Sequence, residues 1–365
     1  MTNTFKISTS LFCLSAIFSF ADSAYTDIPS TENQIEETPI STPVIVPPSI
    51  GYQPEKVTTQ PKGLITPTVE PRVDQALGFI IDADFIWWKS RVSNFDYAQM
   101  NGKVLSPHFK FEPGFKVGTG MDLQHDGWDA YAEYTWLYQP ELSTSESFRN
   151  LGYSSLIVPF AEDATDGILT SISLMDAASW RKSQFNILDL ETGRNFFISK
   201  RLTLRPHVGI KAAALFEKTK IIYISPGPIK TVNLLLKQNL VGLGARAGMD
   251  TVWRITRDFG LYGDAAFTAL WGNFHNTFSN QSKLNGEVVS YPLYKKTQDI
   301  LPIFEIGIGL TYMAWFKQER YQLYMKAGWE EQIWLSYNKN IVNGLMSTDG
   351  ALTLHGLTAQ LGLAF

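Results

Sequence analysis

Cysteine and long apolar runs are almost absent from this chain of 365 residues. Its only cysteine, Cys13, lies in the amino-terminal stretch, so the rest of the chain cannot depend on disulfides. No run of about 18 apolar residues occurs, which argues against a protein that crosses a membrane with helices. Charged residues are also scarce, at 18%, against about 25% in a typical soluble domain.

An excess of positive charge is missing too. The chain has 31 Lys and Arg residues against 35 Asp and Glu residues, a net charge of −4 and a pI near 5.8. Because nothing here neutralises a phosphate backbone, we expect no nucleic-acid partner.

The common enzyme motifs are absent as well. There is no P-loop, no GxSxG elbow and no HExxH. The segment GLGARAG at 242–248 is similar to a dinucleotide loop, but its third glycine comes one residue late and no helix is expected after it. The histidines are scattered singly, at His108, His125, His207, His275 and His355. We therefore expect no enzyme, no metal and no cofactor.

The amino-terminal part of the chain has the features of an exported protein. In Met1–Ala24, Lys6 precedes an apolar run, and small residues follow it, which predicts a signal peptide at 1–24. Residues 25–77 hold nine of the 18 prolines, with Ser, Thr and Glu between them. This composition predicts a disordered linker, placed in the periplasm if the rest of the chain is an outer-membrane protein.

The last strand, LTLHGLTAQLGLAF, indicates the class of the remaining domain, 78–365. Leu357, Leu361 and Leu363 share one face of an extended strand with Phe365, while small or polar residues occupy the other face. Such a strand can cross a bilayer only within a closed β-barrel. Outer-membrane barrels commonly end in Phe, so we predict that Phe365 is read by the barrel assembly machinery.

Similar segments recur from Gly78 onward and predict an antiparallel transmembrane barrel of ten strands. They span about 79–89, 109–123, 127–138, 180–197, 201–216, 238–254, 258–274, 299–316, 319–337 and 350–365. Tight turns alternate strictly with long connections, which include 217–237 and 275–298, as in outer-membrane proteins. Twelve strands is the alternative, because the 139–179 connection could hide a hairpin around 154–160 and 168–175.

Tryptophan supports the barrel prediction. All ten tryptophans fall in the predicted strands, mostly towards their ends. This distribution is typical of the aromatic girdles at the two membrane interfaces. The girdle residues would be Trp87, Trp88, Trp128, Trp136, Trp180, Trp253, Trp271, Trp315, Trp329 and Trp334.

Charged residues alternate with apolar ones along the strands and are expected to line the lumen. In the hairpin Phe185–Phe216, folded at Ser199-Lys200, Asp189 lies opposite Lys211. Such a ladder of opposite charges could shape a water-filled pore or tie the barrel wall together. The predicted lumen residues are Asp82, Asp84, Lys116, Asp122, Glu133, Asp189, Glu191, Arg205, His207, Lys211, Arg246, Asp250, Asp264, Glu305, Lys326 and Glu330.

Three segments, LDLETGRNFFISKRLTLRPHVGIKAA, DGWDAYAEYTWL and GLGARAGMDTVWRI, occur in an order that resembles the Legionella-type major outer-membrane protein family. Relatives of that family include porin-like proteins of chlamydia-related bacteria. The resemblance runs from about Gly78 to Phe365 and implies a surface-exposed, pore-forming barrel. Arg201 stands where a family cysteine would be expected, so disulfide cross-linking is not implied for this chain.

The predicted function is passive diffusion of small hydrophilic solutes or ions across the cell outer membrane, with a weak preference for cations. Ten strands predict a narrow or partly blocked lumen, since about eight leave an interior just filled by side chains. The alternative is a surface structural or adhesive protein whose barrel anchors long loops. An outer-membrane protease with Asp299 and His275 at its rim is a further, weaker alternative. The expected partners are outer-membrane lipid, the assembly machinery and small solutes.

Overall fold

The computed structural model describes residues 78–100, 103–123, 127–147, 153–155, 173–225, 229–284, 287–316, 321–342, 346–347 and 349–365. The predicted signal peptide and linker, 1–24 and 25–77, lie outside these residues. Among the described residues, no helix has the length and apolar character needed to span a bilayer.

Ten antiparallel strands form a closed barrel, which confirms the predicted fold. The strands are β1 (Phe79–Val92), β2 (Phe111–Asp122), β3 (Trp128–Ser147), β4 (Asp176–Arg194), β5 (Leu202–Ile224), β6 (Ile229–Arg254), β7 (Phe259–Leu284), β8 (Glu287–Phe316), β9 (Tyr321–Trp334) and β10 (Leu352–Ala364). Each strand pairs with the next, and β10 pairs with β1. A two-residue strand, Phe196–Phe197, also pairs with β5. Beyond the last rung, Phe79 and Phe365 exchange two backbone hydrogen bonds of 2.9 Å.

The two faces of the wall differ as the alternation in the sequence predicts. On β1, Asp82 is only 3% exposed, whereas its neighbour Ile81 is 54% exposed. On β10, Leu361 and Leu363 are about half exposed, while Thr358 is buried. Because a strand reverses its side chains at every residue, one face of the wall presents apolar side chains to lipid and the other points inward.

The predicted long loops at 217–237 and 275–298 are wrong for the most part, because β5 to β8 continue through them. β5 has 23 residues and β8 has 30, whereas about 9–11 residues cross a bilayer. The polar composition of these segments resembles that of loops, but each strand finds a hydrogen-bonding partner in its hairpin neighbour. The hairpins therefore extend beyond the membrane as β-ribbons. We call this end of the barrel the long-loop end, and the opposite end the short-turn end.

The alternative of twelve barrel strands is wrong. Tyr153–Ser155 and Ser173–Leu174 do pair with each other. However, they join Ala98–Met100 and Lys103–Leu105 in a separate four-stranded sheet, since Tyr153–Ser155 pairs with Ala98–Met100 instead of a barrel strand. Two further short elements, Ile341–Val342 and Met346–Ser347, pair with each other in a separate two-stranded sheet.

Two connecting segments at the long-loop end are packed against barrel residues. Phe95 and Tyr97, which follow β1, are buried, as is Tyr337, which follows β9. The hydroxyl of Tyr223 donates to the carbonyl oxygen of Tyr97 at 2.5 Å. The amide of Asn338 donates to the carbonyl oxygens of two residues after β1, at 3.3 and 3.1 Å. These bonds join the two segments to each other and to the wall.

Candidate functional site: the barrel lumen

All the predicted lumen residues lie on the inward face of the wall. Within a strand they are separated by an even number of positions, and the pairing register places them opposite inward residues of the neighbouring strands. All except Asp82, Asp122 and Lys211 line one cavity of about 390 Å³. Thr203, Arg254 and Gln322, near the short turns, also line it. We call this region, in the short-turn half of the barrel, the charged cup.

On one side of the cup, Lys116 is shared between acidic residues. Its Nζ lies 2.7 Å from Glu330 Oε2 and 3.3 Å from Glu133 Oε1. Asp84 lies directly opposite Lys116 in the register and is 6% exposed, and its Oδ1 has no hydrogen-bond partner among the described residues. Two acidic residues thus share one ammonium group and a third lies opposite it in the register, so acidic groups outnumber the cation on this side of the cup.

On the other side, two arginines tie five strands together. Arg205 binds Asp129 at 2.6 Å, Glu191 at 2.8 Å and Asp250 at 2.7 Å. Arg246 binds Glu191 at 2.5 Å and Glu305 at 2.9 Å. A guanidinium group has several donors in one plane, so a single side chain can satisfy carboxylates from different strands.

Uncharged side chains bind Asp82 in the described part of the barrel. The hydroxyls of Tyr131 and Tyr324 donate to its carboxylate at 2.8–2.9 Å, and Gln360 donates at 3.1 Å. Sequence reasoning missed these three residues and Asp129. Asp129, Tyr131 and Tyr324 share a face with predicted lumen residues of their own strands, and Gln360 is on the small or polar face of β10. The missed signal was the alternation itself, which applies to uncharged polar residues as much as to charged ones.

Glu191, His207 and Asp250 form a cluster whose ligand atoms all lie within 4.8 Å of one another, a spacing that could hold a metal ion. Arg205, however, is hydrogen-bonded to both carboxylates. His207 Nδ1 lies 3.0 Å from Glu191 Oε2. The carboxylates are therefore already partnered by positive groups, and the cluster fits an ion-pair network better than a cation site.

A layer of buried apolar side chains lies beyond the cup, towards the long-loop end. Every barrel strand except β2 contributes to it. We call this layer the apolar seal, and its members are Ile86, Trp88, Leu137, Phe185, Ile187, Ala213, Leu215, Leu240, Leu270, Phe274, Leu301, Ile303, Trp334, Leu352 and Leu354. On β2 the corresponding residue is Gly114, where a Cβ atom would meet Ile86 at 3.0 Å. The described side chains therefore fill the lumen at this level.

The seal corrects part of the predicted aromatic girdle. Trp88 and Trp334 are fully buried inside the barrel and do not lie at a membrane interface. Trp87 and Trp329, by contrast, are on the outer face, as a girdle requires. Both are about half exposed, and both contact Phe111. Trp88 shares the face of Asp82 and Asp84, so it packs inward, where its indole nitrogen donates to Thr358 at 3.1 Å.

A second polar layer lies beyond the seal. Arg181 binds the carboxylate of Glu217 through two hydrogen bonds, of 2.8 and 3.1 Å, and both side chains are 3% exposed. Arg181 also donates to Ser90 and stacks over Phe109. The hydroxyl of Tyr337 lies 3.4 Å from Glu217, and burial raises its pKa well above the usual range of a tyrosine. This layer holds the inserted segment after β9 in the mouth of the barrel.

The proposed protease rim pair does not form. His275 is exposed on the outer face of β7, opposite Lys296. Asp299 is on the inward face of β8, opposite Gly272, and its carboxylate binds Lys339 at 3.0 Å. The two side chains point to opposite sides of the wall, so they cannot act together on one substrate.

Comparisons with known structures show distant similarity to other outer-membrane barrels. The Escherichia coli outer membrane protease OmpT has 12% identity and a TM-score of 0.42, covering 79% of this chain and 96% of that one. The Pseudomonas putida toluene transporter TodX has 10% identity and a TM-score of 0.34, with 79% and 89% covered. A major outer membrane protein from Thermus thermophilus has 11% identity and a TM-score of 0.27, with 77% and 99% covered. None of these functions is carried over at such distances.

Sequence comparison identifies the family. No curated protein matches the chain. Residues 73–365, however, match the profile described as Legionella pneumophila major outer membrane protein precursor, and this match includes the whole barrel. The resemblance seen in the sequence motifs is thereby confirmed, and the chain belongs to the Legionella major outer membrane protein family.

Proposed function

We propose that the protein is an outer-membrane channel, closed in the conformation described, that admits small hydrophilic solutes or ions with a weak preference for cations when its apolar seal is displaced. The observation that carries the proposal is the charged cup. A cavity lined by charged side chains inside a membrane barrel is what a permeation path for ions requires, whereas a barrel that served only as an anchor could be apolar throughout.

The preference for cations follows from the charge balance of the cup. Acidic side chains outnumber basic ones on the inward face. The ion pairs of Arg205, Arg246 and Lys211 cancel part of the field. Asp82 has no cation partner among the described residues, and Lys116, opposite Asp84 in the register, is already bound by Glu133 and Glu330. The remaining negative potential raises the local concentration of cations in a narrow lumen.

The apolar seal determines whether ions pass. Trp88 and Trp334 fill the lumen without contact to solvent, and an apolar constriction of this kind excludes ions because they cannot shed their hydration shells there. We expect the double variant Trp88→Ala, Trp334→Ala to increase single-channel conductance or open probability in planar bilayers. The matched control is Trp87→Ala, Trp329→Ala, which removes the same volume from the lipid-facing side and should not change conductance.

Reversal potentials test the sign of the selectivity. In the opened variant, conductance should favour cations, and replacing Asp82 and Asp84 together by Asn should weaken that preference. Raising the ionic strength should weaken it too, because the Debye length falls from about 30 Å at 0.01 M to about 10 Å at 0.1 M. Anion selectivity in the opened variant would overturn the cup as its origin.

The second candidate function is a surface structural role, in which the barrel anchors the ribbons of β5 to β8. Two observations favour it: the fully buried seal, and strands of up to 30 residues that extend past the membrane. If the folded protein conducts neither as wild type nor with Trp88 and Trp334 replaced, the anchoring role replaces the channel.

A further inference from the structure

Three lysines stand side by side on the outer face of the barrel. In the register of β4, β5 and β6, Lys218 lies directly opposite Lys182 on one side and Lys237 on the other. All three are on the face opposite to the buried residues Ser183, Glu217 and Gln238. We call this set the lysine row. Neighbouring strands are about 4.8 Å apart, so three positive charges fall within roughly 10 Å along the wall.

The row costs stability unless something neutralises it, because like charges directly opposite one another in a sheet repel. Among the residues that the structure describes, no carboxylate forms an ion pair with Lys182, Lys218 or Lys237. A fourth cation, Lys220, lies one step further along β5 with its Nζ over the ring of Trp180, 5.5 Å from the centroid. One acidic residue lies beside the row, the exposed Glu141 in the bulge of β3 that faces Lys182, whereas Lys218 and Lys237 have no acidic residue opposite them in the register.

The height of the row on the barrel indicates what could neutralise it. On β5, the outward residues from Leu204 to Phe216 are all apolar, and Phe216 is 42% exposed. Lys218 is the next outward residue towards the long-loop end. On β6, Val241 ends a similar, largely apolar series, and Lys237 follows after Asn239. The row thus begins where the lipid-facing band ends, at the headgroup level of the leaflet nearest the long loops.

We propose that the lysine row binds the phosphate groups of an anionic lipid in the outer leaflet, with the acyl chains of that lipid lying against the apolar band below. Charge complementarity supplies the headgroup contact, since each ammonium group is a point charge well suited to phosphate. The continuity of the row with the apolar band distinguishes a lipid from a free anion, because a free anion gains nothing from Phe216 or Val241. Binding at this outer surface does not depend on conduction through the lumen.

The experiment uses the full-length protein refolded in detergent and titrated with diphosphorylated lipid A. Bound lipid is counted by native mass spectrometry. We expect the variant Lys182→Gln, Lys218→Gln, Lys237→Gln to bind at least about tenfold more weakly, since each basic residue near an anionic membrane surface adds to the electrostatic attraction. The matched control is Lys89→Gln, Lys296→Gln, which removes two outward lysines that are not in a row and should bind as the wild type does.

Heat resistance, compared between the triple variant and the wild type with and without lipid A, gives a second test. Without lipid, the triple variant should be as heat-resistant as the wild type or more so, because repulsion has been removed. With lipid A, the wild type should gain more heat resistance than the variant. The single variant Lys218→Gln, at the centre of the row, should show the same changes in smaller size and provides the comparison if the triple variant does not refold.

Three outcomes would overturn the proposal. The first is equal affinity of the triple variant and the wild type for lipid A. The second is equal binding of lipid A from which the phosphates have been removed, which would show that the acyl chains alone account for it. The third is full protection by inorganic phosphate at the same concentration, which would make the row a site for small anions and not for a lipid.

Discussion

The Nζ atom of Lys211 lies 2.8 Å from Oδ2 of Asp189, the residue directly opposite it on the neighbouring strand, in the barrel interior. Lys211 is completely buried, and its Nζ is also 2.9 Å from Glu305 on β8. One ammonium group therefore joins side chains from β4, β5 and β8, although β8 is adjacent to neither of the other two strands. The ladder of opposite charges predicted from the hairpin ties the wall across the lumen.

We expect Lys211→Met to lower the free energy of unfolding by about 3 kcal/mol, because removing one partner of a buried ion pair leaves its carboxylates uncompensated. Arg246 remains close to both carboxylates and limits the loss. Urea unfolding followed by tryptophan fluorescence measures the effect. The control Lys296→Met removes an exposed lysine from the outer face and should change stability by no more than about 0.5 kcal/mol. Equal effects of the two substitutions would contradict the role of Lys211.

The Asp189–Lys211 pair could be predicted because a tight hairpin fixes its own register. The alternation of side chains also predicts that Trp88 points inward, because it shares a face with Asp82 and Asp84. Its assignment to the girdle arises because two consecutive tryptophans near a strand end are also typical of a membrane interface. Other features could not be read locally. The burial of Tyr97 and Tyr337 depends on contacts between distant segments, and the ribbons of β7 and β8 are strands only because each supplies the hydrogen bonds of the other.

Glycines on the inward face allow close approach of neighbouring strands. A Cβ atom at Gly244 would overlap the carbonyl oxygen of Ala269 and lie 2.6 Å from Leu270 Cα. Backbone atoms cannot swing aside, so we expect Gly244→Ala to destabilise the barrel by about 1–3 kcal/mol. Gly263→Ala is the control, because there the nearest atom, Thr251 Cγ2, is 3.4 Å away. Comparing the urea midpoints of the two variants tests the prediction, and similar midpoints would refute it.

Closure of the barrel should make the folded protein resistant to detergent. Each strand of the barrel is hydrogen-bonded on both sides, so there is no free edge in the described barrel from which the sheet can unzip. We expect an unheated sample to migrate differently from a boiled one in a denaturing gel. Identical migration of a refolded sample that retains its β-sheet circular dichroism signal would count against a closed barrel.

We expect Phe365 to contribute to assembly in two ways, through its backbone and through its aromatic ring. Its backbone exchanges two hydrogen bonds of 2.9 Å with Phe79, and its ring lies 6.4 Å from the ring of Phe79, so it completes the seam between the first and last strands. Its aromatic side chain is also 37% exposed on the outer surface, where the assembly machinery could recognise it. Removing Phe365 should therefore sharply reduce the amount of protein that reaches the outer membrane.

Two further variants separate these roles. Phe365→Ala keeps the backbone bonds of the seam and removes only the ring, so a loss as large as that of the deletion would assign the effect to recognition of the aromatic side chain. Phe365→Tyr keeps an aromatic ring and should assemble nearly normally. Deleting part of 30–70 should barely change assembly, because the composition of this segment predicts a linker, and a linker contributes no packing to a barrel. Quantifying heat-modifiable protein in outer-membrane fractions compares all four, and equal loss from the linker deletion would contradict this assignment.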